Sequence, residues 1–440
     1  MPWRDEWPSA CSGEPYDGKH LLDLIRSGKS PFDGVWDVGL LVREIEEKLD
    51  TKVTDIPMIT KGSNNYGFYI KTSNKPDMVA RLARGDVNMP GFDGFPIDLQ
   101  ASEARFEVAV YNLLKQEPGV RISRLLYSRI PIQHPGSMFA IPQDLAGRRL
   151  FVFESSAGSN NVWADLSPTE RVWPSPFYLY HTRAKRLEQL LLLDQLARIR
   201  AALFSYNPPR EFAAEYFLDR LFKFKPDSLS IPVAPTREFW VHVLEAKIRA
   251  TIRNEGDMIG WEDDEETVGP IALAAKHSLL HAVQLILPAD TPDGSLYRFV
   301  LEHGDFGIHN MTITRLESGQ PLVTSVFDWE TACIWPAILS DPLVAAGPVD
   351  LIAGEDGSSA VTRLPENATQ ADVEDYTSWA SHYIKKLYHE APGYETAIQA
   401  GKDFRYLWYA LRDWRGGNSE EFFGVLGEWA ETRIRKLEAL

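Results

Sequence analysis

The chain has 440 residues, 44% of them apolar and 25% charged, a globular composition with ample length for a large core of two or three domains. Asp and Glu number 62 against 46 Lys and Arg, giving a formal charge of −16, so the basic footprint for general nucleic-acid binding or docking on an anionic membrane is missing. With Cys11 and Cys333 as the only cysteines, a disulfide framework and a cysteine-rich zinc site are excluded; no apolar leader or membrane-length run appears, and a cytoplasmic protein is expected.

Residues 1–35, rich in Pro, Gly, Ser and Asp, read as a loosely ordered N-terminal extension. Asp37 can N-cap a helix carrying Leu41, Ile45 and Leu49 at helical spacing. Three short β-like runs follow at 53–60, 66–71 and 78–83, with turn chemistry at both joints, which predicts an antiparallel meander. After the Gly/Pro-rich segment 85–96, Ser102 offers an N-cap to a helix running to Leu114. Two more β-like runs lie at 125–130 and 149–154.

The character changes after Gly158. Residues 185–204 form an amphipathic helical pattern with Leu190, Leu193, Ala197 and Ile199 on its core face. Helical stretches at 239–253 and 271–286 flank an acidic run that reads as a solvated loop. A strand at 297–302, a loop and a hairpin pairing 311–316 with 322–327 come next, and the rest is mostly helical. The pattern is α+β: an N-terminal extension (1–35), a small antiparallel β-sheet lobe with one helix (36–156) and a larger, mainly α-helical lobe (157–440).

The stretch HGDFGIHN, followed by VFDWE, supplies His303, Asp305 and Asn310 on one loop and Asp328 at the end of the next strand. Such residues suit phosphoryl transfer: one carboxylate positions a hydroxyl and accepts its proton, while an Asn and a second carboxylate offer hard oxygens to Mg²⁺. Any one of them alone is more often a turn or cap residue; the joint spacing follows the kinase catalytic loop. The segment KGSNNYGF is a near miss for a Walker A loop, since Phe68 and Tyr69 stand where Lys and Ser/Thr are needed and a strand follows.

On these residues the chain resembles the aminoglycoside phosphotransferase and choline kinase-like group of small-molecule kinases, over about residues 59–341. The resemblance implies a two-lobed protein kinase-like fold and ATP and Mg²⁺ as cofactors. It implies Asp305 as the base that takes the proton of a small-molecule acceptor, with Asn310 beside it in catalysis and Asn310 and Asp328 on the metal. Gly62, Ser63 and Gly67 would cover the nucleotide phosphates and Arg81 would hold them. Glu107, with Glu103 as runner-up, would pair with Arg81, and the strand ending at Glu154 would meet the adenine edge with backbone groups. His303 would support its loop. Gly304 stands where regulated protein kinases carry Arg, and Asp328 is followed by Trp-Glu, both of which fit a small-molecule kinase. Arg81 stands where the family pattern has Lys, which keeps a pseudokinase-like binding or scaffold protein open as an alternative. Nucleotidyl transfer on the same fold also stays open. The aromatic run 404–414 with Asp403 and Asp413 could hold a cationic acceptor, although a core helix face is its commoner meaning.

Overall fold

The computed structural model describes residues 6–9, 13–85, 97–131, 145, 147–159, 178–221, 225–252, 264–414 and 416–439. They form two compact units. The first comprises Met1–Ser159 with Thr312–Thr314 and Thr324–Glu330, and the second holds the remainder.

In the first unit α1 (Leu21–Arg26) and α2 (Val38–Leu49) precede a five-stranded antiparallel sheet. The strands are β1 (Val53–Lys61), β2 (Asn65–Thr72), β3 (Met78–Ala83), β4 (Leu125–Arg129) and β5 (Leu150–Glu154), in the spatial order β1-β2-β3-β5-β4. The single helix α3 (Ile97–Leu114) lies between β3 and β4 in the chain. This is the predicted meander with one inserted helix. Asp37 caps α2 as expected, accepting from the Gly39 amide at 2.7 Å. Ser102 does not cap α3: the helix begins five residues earlier, so Ser102 lies in its interior. The residues before Ile97 lie outside the described residues.

The expectation of a loosely ordered lead-in is corrected by the described part of residues 6–36. Tyr16, Leu21, Leu22, Phe32 and Trp36 join Tyr66 and Phe68 of the sheet in one core. Phe32 stacks on Trp36 at 4.5 Å and meets Tyr66 edge-on, while Trp7 packs against Tyr16 and Tyr66. The Ile59 amide donates to the Gly18 carbonyl at 2.7 Å, so this segment covers the free edge of β1. Glu6 is buried against Arg148 at 2.6 Å and accepts from the Tyr66 hydroxyl and the Gly85 amide. Pro, Gly and Ser set the turns here, and the scattered aromatics between them carry the packing.

The second unit is mainly helical. It contains α4 (Tyr178–Ser205), α5 (Arg210–Tyr216), α6 (Arg237–Thr251) and α7 (Asp264–Ile286), then α8 (Gln370–Glu390), α9 (Pro392–Ala400), α10 (Lys402–Asp413) and α11 (Ser419–Leu437). Of the acidic run, 264–267 belongs to α7, and 255–263 lies outside the described residues. β6 (Phe299–Glu302) pairs with β9 (Cys333–Pro336), and β7 (Met311–Arg315) with β8 (Pro321–Val326) as the predicted hairpin. A small sheet of β10 (Val344–Ala345), β11 (Asp350–Ala353) and β12 (Ser359–Thr362) interrupts the region expected to be helical. No described helix is long and apolar enough to cross a membrane.

Candidate active site

The residues singled out from the sequence fall into two groups, one in each unit. In the second unit, β6 delivers Glu302 and His303 into a tight loop. Gly304 adopts φ +82, and a Cβ on it would lie 2.1 Å from the Thr331 carbonyl oxygen, so only glycine fits. His303 is fully buried, its backbone carbonyl accepting from the Thr331 hydroxyl at 3.2 Å. Beyond it Asp305 stands with its side chain 55% exposed. A single turn of 3-10 helix, Ile308–Asn310, folds the loop back. It places His309 Nε2 at 3.0 Å from Asp305 Oδ2, and Asn310 Nδ2 at 3.0 Å from that same oxygen and 2.9 Å from the Asp305 carbonyl. The His309 hydrogen bond, helped by Asn310 and outweighing partial burial, holds the Asp305 carboxyl below the usual carboxylate range. The loop thus presents an ionised, oriented carboxylate to solvent. His309 was missed in the sequence because its partner only becomes visible once the 3-10 turn is formed.

In the first unit the glycine hairpin joins β1 to β2. Gly62 donates to the Asn65 carbonyl at 2.9 Å, and Arg84 Nη1 donates to the carbonyls of Gly62 and Ser63 at 2.8 and 3.0 Å. Gly67 pairs with Arg81 across the β2–β3 ladder. Arg81 Nη2 donates to Asp328 Oδ1 at 2.7 Å, and its Nη1 lies 3.7 Å from Glu107 Oε1. Glu107, rather than Glu103, is therefore the partner of Arg81. Arg149 approaches the other Glu107 oxygen at 3.5 Å and donates to Glu330 at 3.0 Å. Acidic and basic groups consequently alternate in the order Asp328, Arg81, Glu107, Arg149, Glu330. Glu107 is 1% exposed, and burial pushes its carboxyl up to about 7 even though both guanidiniums pull it down. Burial works to lower the Arg81 pKa, but Asp328 and Glu107 outweigh it and keep the guanidinium firmly protonated. Asp328 has φ +70, a left-handed conformation uncommon for a residue with a side chain, and its amide donates to the Tyr111 hydroxyl at 3.3 Å.

Arg149 and Glu330 were not singled out in the sequence, though Glu330 closes the FDWE stretch. Their pairing depends on lateral register, which no local pattern displays. At the end of β5, the Glu154 amide donates to the Arg124 carbonyl at 2.9 Å and the Ser155 amide to the Asp77 carbonyl at 2.8 Å. Both of these backbone donors are thus already engaged. Of the aromatic run, Phe404, Leu407, Trp408 and Leu411 are core residues, as the commoner meaning had it. Tyr406 and Asp403 instead line a surface cavity of about 510 Å³ with Trp429 and Arg433, and that cavity shares no lining residue with the Asp305 loop. Cys333 is fully buried on β9, and burial pushes its thiol far above the ordinary range, so it is unreactive in the folded protein.

A loop that holds Asp305 against His309 and Asn310, on an α+β chain with a five-stranded antiparallel sheet, is the arrangement expected from the sequence of a small-molecule phosphotransferase. The chain belongs to the phosphotransferase enzyme family, whose model matches residues 55–339. Among solved structures, it is similar to an amicoumacin kinase in complex with AMP-PNP, Ca²⁺ and Ami (10% identity, 91% of this chain and 95% of that one, TM-score 0.35). It is also similar to a macrolide 2'-phosphotransferase from Brachybacterium faecium (15%, 88% and 97%, TM-score 0.34). A third likeness is to an aminoglycoside phosphotransferase from Alicyclobacillus acidocaldarius (10%, 88% and 93%, TM-score 0.32). No curated protein sequence matches at a significant level.

Proposed function

We propose that this small-molecule phosphotransferase moves the γ-phosphoryl group of ATP to a hydroxyl (or amine) of a small acceptor, with residues 36–156 as the nucleotide-binding lobe and 157–440 as the catalytic lobe. The observation that carries this reading is the Asp305 carboxylate, held by His309 and Asn310 and open to solvent. A loose phosphoryl-transfer transition state needs its nucleophile oriented more than strongly deprotonated. A carboxyl of lowered pKa suits that work: Asp305 accepts the acceptor's hydrogen bond, lines up its oxygen, and receives the proton as the phosphorus–oxygen bond forms.

Each unit holds a hard-oxygen donor of the kind that a magnesium ion carried in on nucleotide phosphates would take. Asn310 turns its amide nitrogen to Asp305, which leaves Oδ1 as a hard oxygen, and Asp328 offers a carboxylate. Among the described residues no group of three or more His, Cys, Asp and Glu gathers as a self-sufficient metal cage, and Mg²⁺ commonly takes its remaining ligands from phosphate and water. When bound, the ion would neutralise charge on the phosphates. Gly62, Ser63 and Gly67 would approach those phosphates with backbone groups, and Arg81, moving off Asp328, would hold them.

The Arg81–Asp328 ion pair also favours a second reading, a protein that binds a ligand without turnover, because it engages the carboxylate a metal would need. Two measurements separate these readings and the nucleotidyl-transfer alternative. With ATP and an acceptor library, ADP release is expected, pyrophosphate would mean nucleotidyl transfer, and neither product would favour the binding protein. Asp305→Asn is expected to lower turnover by about 10²–10⁴-fold with an unchanged melting temperature. Undiminished turnover would remove Asp305 from the chemistry.

A further inference from the structure

The tip of the glycine hairpin is tied down by a polar clasp. Glu330 accepts from Asn64 Nδ2 at 2.9 Å and from Arg149 Nη2 at 3.0 Å, and the same Arg149 nitrogen lies 3.1 Å from Asn65 Oδ1. The ladder explains why these groups meet. Asn65 pairs with Ala83 across β2–β3, and the Ala83 amide donates to the Arg149 carbonyl at the start of β5. The three residues stand in lateral succession, and the methyl group of Ala83 lets the Arg149 side chain reach over β3 to Asn65. Arg149 is itself held from the other side by buried Glu107. A polar cavity of about 140 Å³ opens beside the clasp, lined by Asn64, Ala83, Arg149 and Glu330 with Gln100 and Glu103 of α3. It gives water access to the carboxylate, so the clasp can open and close without burying an unpaired charge.

We infer that Arg149 and Glu330 are positioning residues that hold the Asn64–Asn65 tip of the glycine hairpin in place, Glu330 acting as the common acceptor. The hairpin and the FDWE segment are thereby coupled without the nucleotide. That this matters for phosphate binding rests on the ATP reading above.

The test uses the full-length protein and the variants Asn64→Ala, Glu330→Ala and their combination. Arg149 is left intact, since removing it would leave Glu107 buried beside one cation. Hydrogen exchange in the absence of ligand is expected to speed up about tenfold at the amides of Gly62 and Arg84, which donate to the Asn65 and Asn64 carbonyls, in each single variant. The double variant should exchange no faster than Glu330→Ala alone, because the two changes break one shared bond. Unchanged exchange in both single variants, or strictly additive effects, would overturn the clasp. Calorimetric titration with Mg²⁺·ATP is expected to show about tenfold weaker binding in the single variants at an unaltered melting temperature. Faster exchange with wild type that binds no nucleotide would uphold the clasp and overturn the ATP reading. Faster exchange with undiminished ATP affinity would overturn its importance for phosphate binding.

Discussion

Glu107 carries a carboxyl raised to about 7 by burial, and Glu302, buried against Arg200 at 2.7 Å, carries another at about 7 for the same reason. A carboxyl whose folded pKa stands above its unfolded value holds a proton in the native state that the unfolded chain has released. Between the ordinary value of 4.5 and about 7, unfolding free energy therefore falls as pH rises, by at most ~1.4 kcal/mol per pH unit for each group. Glu107→Gln should flatten this slope in denaturant titrations at pH 5 to 7; an identical slope would mean that the two arginines keep Glu107 ionised throughout. Asp305 is the opposite case. His309→Ala removes the main contact holding its carboxyl low, so the acid limb of the kcat/KM profile should move to higher pH with little change in the plateau. An unmoved limb would mean that His309 has no hold on Asp305.

At the scale of elements, periodicity and turn chemistry were enough to read the meander, the helix inserted after its third strand and the β7–β8 hairpin. β2, β3, β7 and β8 alternate buried with half-buried residues over most of their length, so each carries its own signature, while β1 departs from strict alternation where its register shifts. The four-residue β9 and the small β10–β12 sheet have no such signature, because strands this short are decided by what they pair with. The site divides in the same way. Asp305 and Asn310 were legible because one loop spaces them, whereas Arg149 and Glu330 meet only through strand register. The Asp305 loop itself is specified by Gly304, whose positive φ and contact with the Thr331 carbonyl leave no room for a side chain. Gly304→Ala should cost at least ~2 kcal/mol in chemical denaturation and abolish turnover. A stable, active variant would show that the loop can be rebuilt.

For the whole chain, the fold extends beyond the matched segment 55–339. The aromatics at positions 7, 16, 32 and 36 share a core with Tyr66 and Phe68, and each large side chain fully buried there contributes about 1.5–3 kcal/mol. Removing residues 1–35 would also strip the edge of β1 and leave Arg148 buried without Glu6. The shortened chain is expected to be insoluble or to unfold at much lower denaturant. Equal stability of the two chains in urea would show that the segment merely rests on the sheet. Its richness in Pro, Gly, Ser and Asp hid this role, because four widely spaced aromatics at 7, 16, 32 and 36 do not form a periodic pattern.

The inert thiol of Cys333 makes the protein its own reporter. Cys333 pairs across β6–β9 with Glu302, which immediately precedes the loop that carries Asp305. A maleimide or disulfide reagent can reach that sulfur only when these two strands part. In a Cys11→Ser background, the labelling rate becomes a clock for how often the base of the loop opens. Ligands that tighten the loop would slow that clock before any product has been identified.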